Sequence, residues 1–157
     1  SKSDKVNLFI KLISSIRSTR AELNVPAKSK VKINYTNISS DLEEIIETNK
    51  EIIISLTRSD SFDKKEYSKD EGMVQVIFND GLIYLSLKGI IDFKEEKIRL
   101  QKNLEKTEIE LSKIHSKLND KNFINNAPEE IILEQKEREK EYILSKEKIT
   151  KTIQSFE

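Results

Sequence analysis

The chain has 157 residues, of which 36% are apolar and 36% charged, with 28 basic and 28 acidic side chains. This length supports one compact domain plus an extension, and the high charged fraction favours long helices over a sandwich or barrel. Cysteine is absent, which excludes disulfide and thiolate chemistry, and no apolar run approaches the ~20 residues that span a bilayer, so we expect a cytoplasmic protein without a membrane partner.

The balanced total charge conceals an uneven distribution along the chain. Residues 1–36 hold eight Lys or Arg against two acids, and residues 37–91 hold six against eleven. Residues 92–157 hold fourteen against fifteen. A polyanion responds to the local field rather than to the average, so zero net charge does not exclude a nucleic-acid partner.

The first 36 residues predict a helix and a strand. Apolar residues recur at spacings of three and four from Val6 to Leu23, which indicates an amphipathic helix. This helix is expected to end before Pro26, because proline disfavours helical geometry in the residue before it. Residues 30–35 then alternate apolar and polar side chains, the pattern of a half-buried strand.

A second helix, a loop and a β-hairpin are predicted next. Ser40 with Glu43 matches a capping box and is followed by one apolar helical face. Residues 59–72 are polar and predict an irregular loop. Two apolar runs follow, separated by Asn79-Asp80-Gly81, and Asp-Gly between such runs favours a tight hairpin turn. Residues 1–91 are therefore expected to form a small α+β unit, with two helices on a short antiparallel or mixed sheet.

Residues 92–157 predict a second domain, a long antiparallel α-helical hairpin. Core-type positions from Leu100 to Leu118, all apolar except Thr107, keep the alternating four-and-three spacing of a coiled-coil seam. A return helix is expected to begin at Pro128 and to run to about Phe156. Its predicted seam contains three polar residues: Gln135, Glu139 and Lys146. Phe123, in the tip between the helices, either covers the helix ends or stacks on an unpaired base.

Five cations follow one side of the first hairpin helix: Arg99, Lys102, Lys106, Lys113 and Lys117. We call them the cation stripe. At 100° per residue they lie within an arc of roughly 60°, about 130° from the seam. They are either a solvated flank, an interpretation that Glu95 and Glu110 on the same arc favour, or contacts to a phosphate backbone. Lys136 and Arg138 on the return helix face roughly opposite ways, so at most one joins this surface, and Arg138 is the candidate.

Other candidate residues are fewer. Arg17 and Arg20 either cover the polar edge of the first helix or contact a nucleic acid or a neighbouring domain. His115 is the only histidine and has no Cys nearby, so no metal site is expected. With three glycines and no nucleophile–base pair, the chain does not resemble an autonomous enzyme.

Two separated stretches resemble one family. Ile16–Pro26 (IRSTRAELNVP) is similar to the end of the anticodon-binding helical domain in bacterial-type valyl-tRNA synthetases. Gly81–Phe93 (GLIYLSLKGIIDF), then a charged helix, Asn122-Phe123 and Ala127–Ile132 (APEEII), resembles the C-terminal segment of that family. The order and spacing of these motifs agree over nearly the whole chain.

The resemblance implies a C-terminal part of a valine–tRNA ligase, a class I aminoacyl-tRNA synthetase that joins valine to its tRNA with ATP and Mg. Neither a His-Ile-Gly-His nor a Lys-Met-Ser-Lys-Ser signature is present in this sequence. Catalysis, editing and nucleotide binding are therefore expected upstream, and this part is expected to hold no cofactor and to be inactive alone.

The same resemblance implies different roles for the two predicted domains. Residues 1–91 would continue the anticodon-binding region, and residues 92–157 would form a coiled-coil arm that holds the tRNA elbow. Valine-specific tRNA and the upstream domains would be the partners. The residues expected to contact the tRNA are the five of the cation stripe together with Arg138, Arg17 and Arg20.

A structural coiled coil that binds another protein chain is the alternative function. The seam and the zero net charge favour it. The return helix argues against it, because it already supplies an antiparallel partner for the seam. For the same reason we expect a monomer.

Overall fold

The computed structural model describes residues 1–66 and 72–156 and confirms the α+β class. The elements in these ranges are α1 Lys2–Glu22, β1 Val31–Thr36, α2 Ser40–Thr48, α3 Lys50–Thr57, β2 Ser59–Lys64, β3 Met73–Phe78, β4 Gly81–Ser86, α4 Phe93–Leu118, α5 Lys121–Asn126 and α6 Glu129–Gln154. By its internal contacts the chain forms two units, residues 1–96 with the last three residues, and residues 97–154. None of the helices described is long and apolar enough to cross a membrane.

The first unit is built on a four-stranded mixed sheet in the order β2-β1-β4-β3. β1 is parallel to β2 and antiparallel to β4, and β4 is antiparallel to β3. Ile33 lies opposite Leu85 and Tyr35 opposite Ile83, and all four are fully buried or nearly so. Directly opposed residues share a sheet face, so these side chains form one apolar layer. Buried leucines and isoleucines of α1, α2 and α3 complete the core of this unit.

The loop predicted for residues 59–72 is wrong over residues 59–64. Ser59–Lys64 forms β2, which pairs with β1. Only Ser59 and Phe62 of this polar strand are buried, so the alternation that signals a strand in a sequence is nearly absent. Residues 67–71 of the predicted loop lie outside the described residues.

The predicted second helix is two helices. α2 ends at Thr48, and the Asn49 side chain donates a 2.9 Å hydrogen bond to the Ile45 carbonyl before α3 begins. An asparagine side chain competes with the backbone for such bonds, which favours a break here. The cap also differs from the prediction, because Ser39 rather than Ser40 accepts from the Leu42 amide at 3.2 Å.

The turn between β3 and β4 has Asn79 and Asp80 at its centre. Gly81 pairs with Phe78 and is the first residue of β4, so the turn is shifted by one residue from an Asp-Gly turn. Asn79 adopts φ +52°, a left-handed conformation that asparagine tolerates. Glycine is needed at position 81 for space, because a Cβ there would lie 2.5 Å from Cγ2 of Ile38.

Tyr35 links the sheet to α2. It is fully buried, and its hydroxyl donates a 2.9 Å hydrogen bond to Oε1 of Glu47. Burial, and then the bond to Glu47, raise the pKa of Tyr35 well above its ordinary value of 10.0. The protonated Tyr35 hydroxyl therefore contributes its full stabilisation below about pH 10. This contribution falls as pH rises towards the folded-state pKa, because the Tyr35 hydroxyl ionises at lower pH in the unfolded chain than in the folded one.

A Tyr35→Phe variant is expected to lose less stability between about pH 9 and pH 12 than the unsubstituted chain. At neutral pH it should be less stable by about 1 kcal/mol, because the hydrogen bond to Glu47 is lost. Urea unfolding across this pH range measures both effects. Parallel pH profiles for the two proteins would contradict the assignment of alkaline sensitivity to Tyr35.

Candidate nucleic-acid interface

α4 and α6 form the predicted antiparallel hairpin within residues 97–154. The buried residues of α4 in this unit follow the predicted seam: Leu100, Thr107, Leu111 and Ile114. On α6, Gln135 and Ile149 are buried, and Glu139 and Tyr142 are half-buried. Lys146 is exposed, so its predicted seam position is wrong. An unpaired ammonium group is costly to bury, which favours the exposed position.

The tip contains a short helix that the sequence pattern does not predict. The Asp120 carboxylate caps α5 by accepting from the Asn122 amide at 3.0 Å. Phe123 is half-buried, and Ile124 is 38% exposed. The partly covered ring favours the interpretation of Phe123 as a cover for its own hairpin.

The lysines of the cation stripe are exposed on α4. Lys102, Lys106, Lys113 and Lys117 are open to solvent, and Arg99 is half-buried. Because α4 is continuous, the stripe extends over about 27 Å at 1.5 Å per residue. Lys113 Nζ lies 3.2 Å from Oε1 of Glu110, which also belongs to this arc.

Three lysines of the stripe are not committed to a carboxylate. Lys102, Lys106 and Lys117 form no ion pair with any residue in the described ranges. The pair between Lys113 and Glu110 is solvated, and such a pair contributes only about 0–1 kcal/mol, so a phosphate can replace the carboxylate at little cost. The stripe therefore offers ammonium groups to an incoming polyanion.

A groove between α4 and α6 adds a residue of the return helix to this surface. It has a volume of about 350 Å³, and its lining includes Lys113, Lys117 and Arg138. Arg138 also lies 3.3 Å from Glu134, one turn earlier on α6. The structure thus brings Arg138 beside two lysines of the stripe.

A polar contact also joins the two helices at residues that neighbour the groove lining in the sequence. Nε2 of His115 lies 3.2 Å from Oε2 of Glu139, and the two side chains are 48% and 29% exposed. The contact with His115 explains why the carboxylate of Glu139 is tolerated at a predicted seam position. Within residues 1–66 and 72–156 there is no group of His, Cys, Asp and Glu side chains that could hold a metal ion.

The two arginines of α1 lie in different environments. Arg20 is 6% exposed, and its guanidinium donates at 2.7–3.3 Å to four backbone carbonyls, those of Pro26, Ser29, Thr57 and Arg58. Desolvation, and then the charge of Arg58, lower the pKa of Arg20. These bonds occupy the guanidinium, so we leave Arg20 out of the interface. Arg17 is exposed and forms no ion pair in the part of the chain that the structure describes.

Two residues of the groove, Gln135 and Tyr142, are missed when candidates are selected by charge. Gln135 is 8% exposed, and its amide forms no hydrogen bond with another described residue. The amide atoms reach solvent, so the amide can bond to a group that enters the groove. In the sequence Gln135 indicates only weak packing, because its surroundings are unknown.

Comparison with known protein families finds a family that matches the helical hairpin. Residues 92–157 match the family model described as "Valyl tRNA synthetase tRNA binding arm". This match covers α4, α5 and α6, the elements that carry the cation stripe and the groove.

Similarity to curated proteins extends over most of the chain. A valine–tRNA ligase of Cereibacter sphaeroides is 33% identical over 134 residues, which is 85% of this chain and 14% of the relative. That of Bacillus subtilis is 28% identical over 150 residues, 94% of this chain and 17% of the relative. That of Rhodopseudomonas palustris is 28% identical over 149 residues, 95% of this chain and 16% of the relative. The chain thus spans only 14–17% of the length of these relatives.

Proposed function

This chain belongs to the valyl-tRNA synthetase family, to whose C-terminal region it corresponds, and on that premise we propose that residues 92–157 hold the elbow of valine-specific tRNA during aminoacylation. The single observation that carries this proposal is the row of exposed, uncommitted lysines on α4, inside the segment that matches the arm. Residues 1–91 would continue the anticodon-binding region of the same polypeptide. Valine activation, with ATP and Mg, would belong to domains upstream.

The arrangement of charge supports positioning rather than base recognition. Cations along one helix contact successive phosphates, and such contacts hold a nucleic acid in register without reading its sequence. The groove places Arg138 next to Lys113 and Lys117, so both helices contribute to the surface. Arg99 and Arg17 extend the set of proposed tRNA contacts.

Binding of tRNA to the 157-residue chain tests this function. If four of the proposed cations contact phosphates, the logarithm of the association constant should fall with the logarithm of salt concentration with a slope of about −3 to −4. tRNAs with different anticodons should bind with similar affinity, and the chain alone should not attach valine to any of them. Filter binding at a series of salt concentrations measures the slope, and binding that does not respond to salt would refute the proposal.

Exposed apolar residues on α6 favour a second candidate, a module that binds another protein chain. Leu133 and Leu144 are 55% and 65% exposed. Charged residues such as Glu137, Lys140 and Glu141 separate them, so they do not form a continuous seam. We therefore propose a monomer, and a concentration-independent dimer mass in light scattering would favour this second candidate instead.

A further inference from the structure

The groove between α4 and α6 has the size of a small-molecule site rather than of a flat backbone contact. Its volume of about 350 Å³ lies at the lower end of the range of about 300–1,000 Å³ that is typical of ligand pockets. Cations lie on both helices, and the lining between them includes Ile114, Gln135 and Tyr142. A polar amide and an aromatic ring are thus within reach of the same ligand.

The Gln135 amide is the most specific feature of this groove. The residue is 8% exposed and lines the cavity, its amide forms no hydrogen bond with any other residue in the two described ranges, and the amide atoms themselves reach solvent. A glutamine amide offers donors and an acceptor side by side. The amide is therefore accessible to a ligand, and the ligand group that fits it presents a donor next to an acceptor.

Charge in the groove favours a phosphate group. The lining holds three cations, Lys113, Lys117 and Arg138, and one carboxylate, that of Glu110 at 3.2 Å from Lys113. The groove is therefore positive, which suits the phosphate of a nucleotide. Lys117 has no carboxylate partner among the described residues and is the cation best placed to contact that phosphate.

We propose that this groove binds one unpaired nucleotide of RNA. The base edge bonds to the Gln135 amide, the base lies against the Tyr142 ring, and the phosphate lies at Lys117 and Arg138. Edge contacts, aromatic stacking and a nearby cation are the features by which proteins hold unpaired bases. The proposal rests on the proposed tRNA-binding function and adds a contact to a base to a surface otherwise suited only to phosphates.

The test compares the 157-residue chain with a Gln135→Leu variant, which keeps the volume of the side chain and removes the amide. The probes are 5′-phosphorylated single-stranded RNA hexamers of adenylate and of uridylate, and an RNA duplex. For at least one hexamer the variant should bind about tenfold more weakly, because an amide contact to a base edge is lost, whereas duplex affinity should not change. Fluorescence anisotropy measures each affinity.

Gln101→Leu is the matched control, because Gln101 is an exposed glutamine of α4 outside the groove. It should leave all affinities unchanged. The side-chain amide signal of Gln135 in a ¹⁵N correlation spectrum provides a second readout in the unsubstituted chain, and it should shift when hexamer is added. This readout remains decisive if Gln135→Leu fails to fold.

A Gln135→Leu variant that binds both hexamers like the unsubstituted chain, or a Gln135 amide signal that does not move at saturating hexamer, overturns the nucleotide pocket. If tRNA still binds with a steep salt dependence in that case, the proposed function stands and only the pocket is wrong. If neither tRNA nor hexamer binds the unsubstituted chain, both proposals fail.

Discussion

Reversing two charges of the stripe, by Lys102→Glu together with Lys106→Glu, is expected to weaken tRNA binding by about tenfold to thirtyfold. Both lysines are exposed, have no ion-pair partner among the described residues, and lie outside the groove, so no other contact is broken. An exposed ion pair contributes up to about 1 kcal/mol, and two would be lost. The salt slope should decrease by about 1.4 to 1.8, because each phosphate contact contributes about 0.7 to 0.9.

The matched control is Lys136→Glu together with Lys140→Glu on α6. These residues are also exposed, also four apart, and change the total charge by the same amount. Each lies about 160° round the helix from Arg138, which lines the groove. Circular dichroism verifies that helix content is retained in both variants. Equal losses of tRNA affinity in the two variants would mean that binding depends on a diffuse field and that the stripe is not the site.

The largest effect on stability is expected from Arg20→Ala. The substitution removes the guanidinium donor from four carbonyls, of which those of Pro26 and Arg58 keep a backbone donor, and it opens a cavity among α1, α3 and the segment before β1. A buried acceptor left without a partner costs about 1–3 kcal/mol, so we expect a loss of about 2–6 kcal/mol from the other two carbonyls, those of Ser29 and Thr57. Hydrogen exchange of the β1 and β4 amides measures the loss in the first unit directly.

Arg17→Ala is the control for Arg20, since the two residues lie on the same helix and differ in burial. A surface substitution of this kind should change the free energy of unfolding by less than about 0.5 kcal/mol. Arg20→Lys should recover part of the loss, because one ammonium group can reach some of the carbonyls but not all four. A stable Arg20→Ala variant that binds tRNA weakly would show that Arg20 contacts tRNA and would contradict its structural role.

Local sequence patterns determined the helical hairpin. The spacing of Leu100, Leu104, Thr107, Leu111, Ile114 and Leu118 predicted a helix over 93–118, and α4 has these bounds. The exposure of the lysines in the stripe followed from the same spacing, because residue order alone decides which side chains share a face of a helix. The family resemblance also depended on motifs that are contiguous in the chain.

Other features of the structure depend on contacts between segments that are distant in the sequence. β2 is polar and forms because β1 is available as a neighbour, so the sequence of residues 59–64 carries little sign of it. Arg17 and Arg20 are three apart on one helix and could not be distinguished until α3 and the segment before β1 enclosed only Arg20. The groove likewise exists only where α6 lies against α4.

Gln135 shows the physical reason why some features follow from the local sequence and others only from the tertiary structure. Its place in the seam of α6 follows from periodicity, but whether its amide is satisfied depends on which side chains of α4 face it. Helix periodicity is a property of neighbouring residues, whereas burial, pairing and cavity shape are properties of segments brought together by folding. The sequence therefore determined the arm and its charged face, and only the tertiary structure decided that an accessible amide lies beside the cations in one groove.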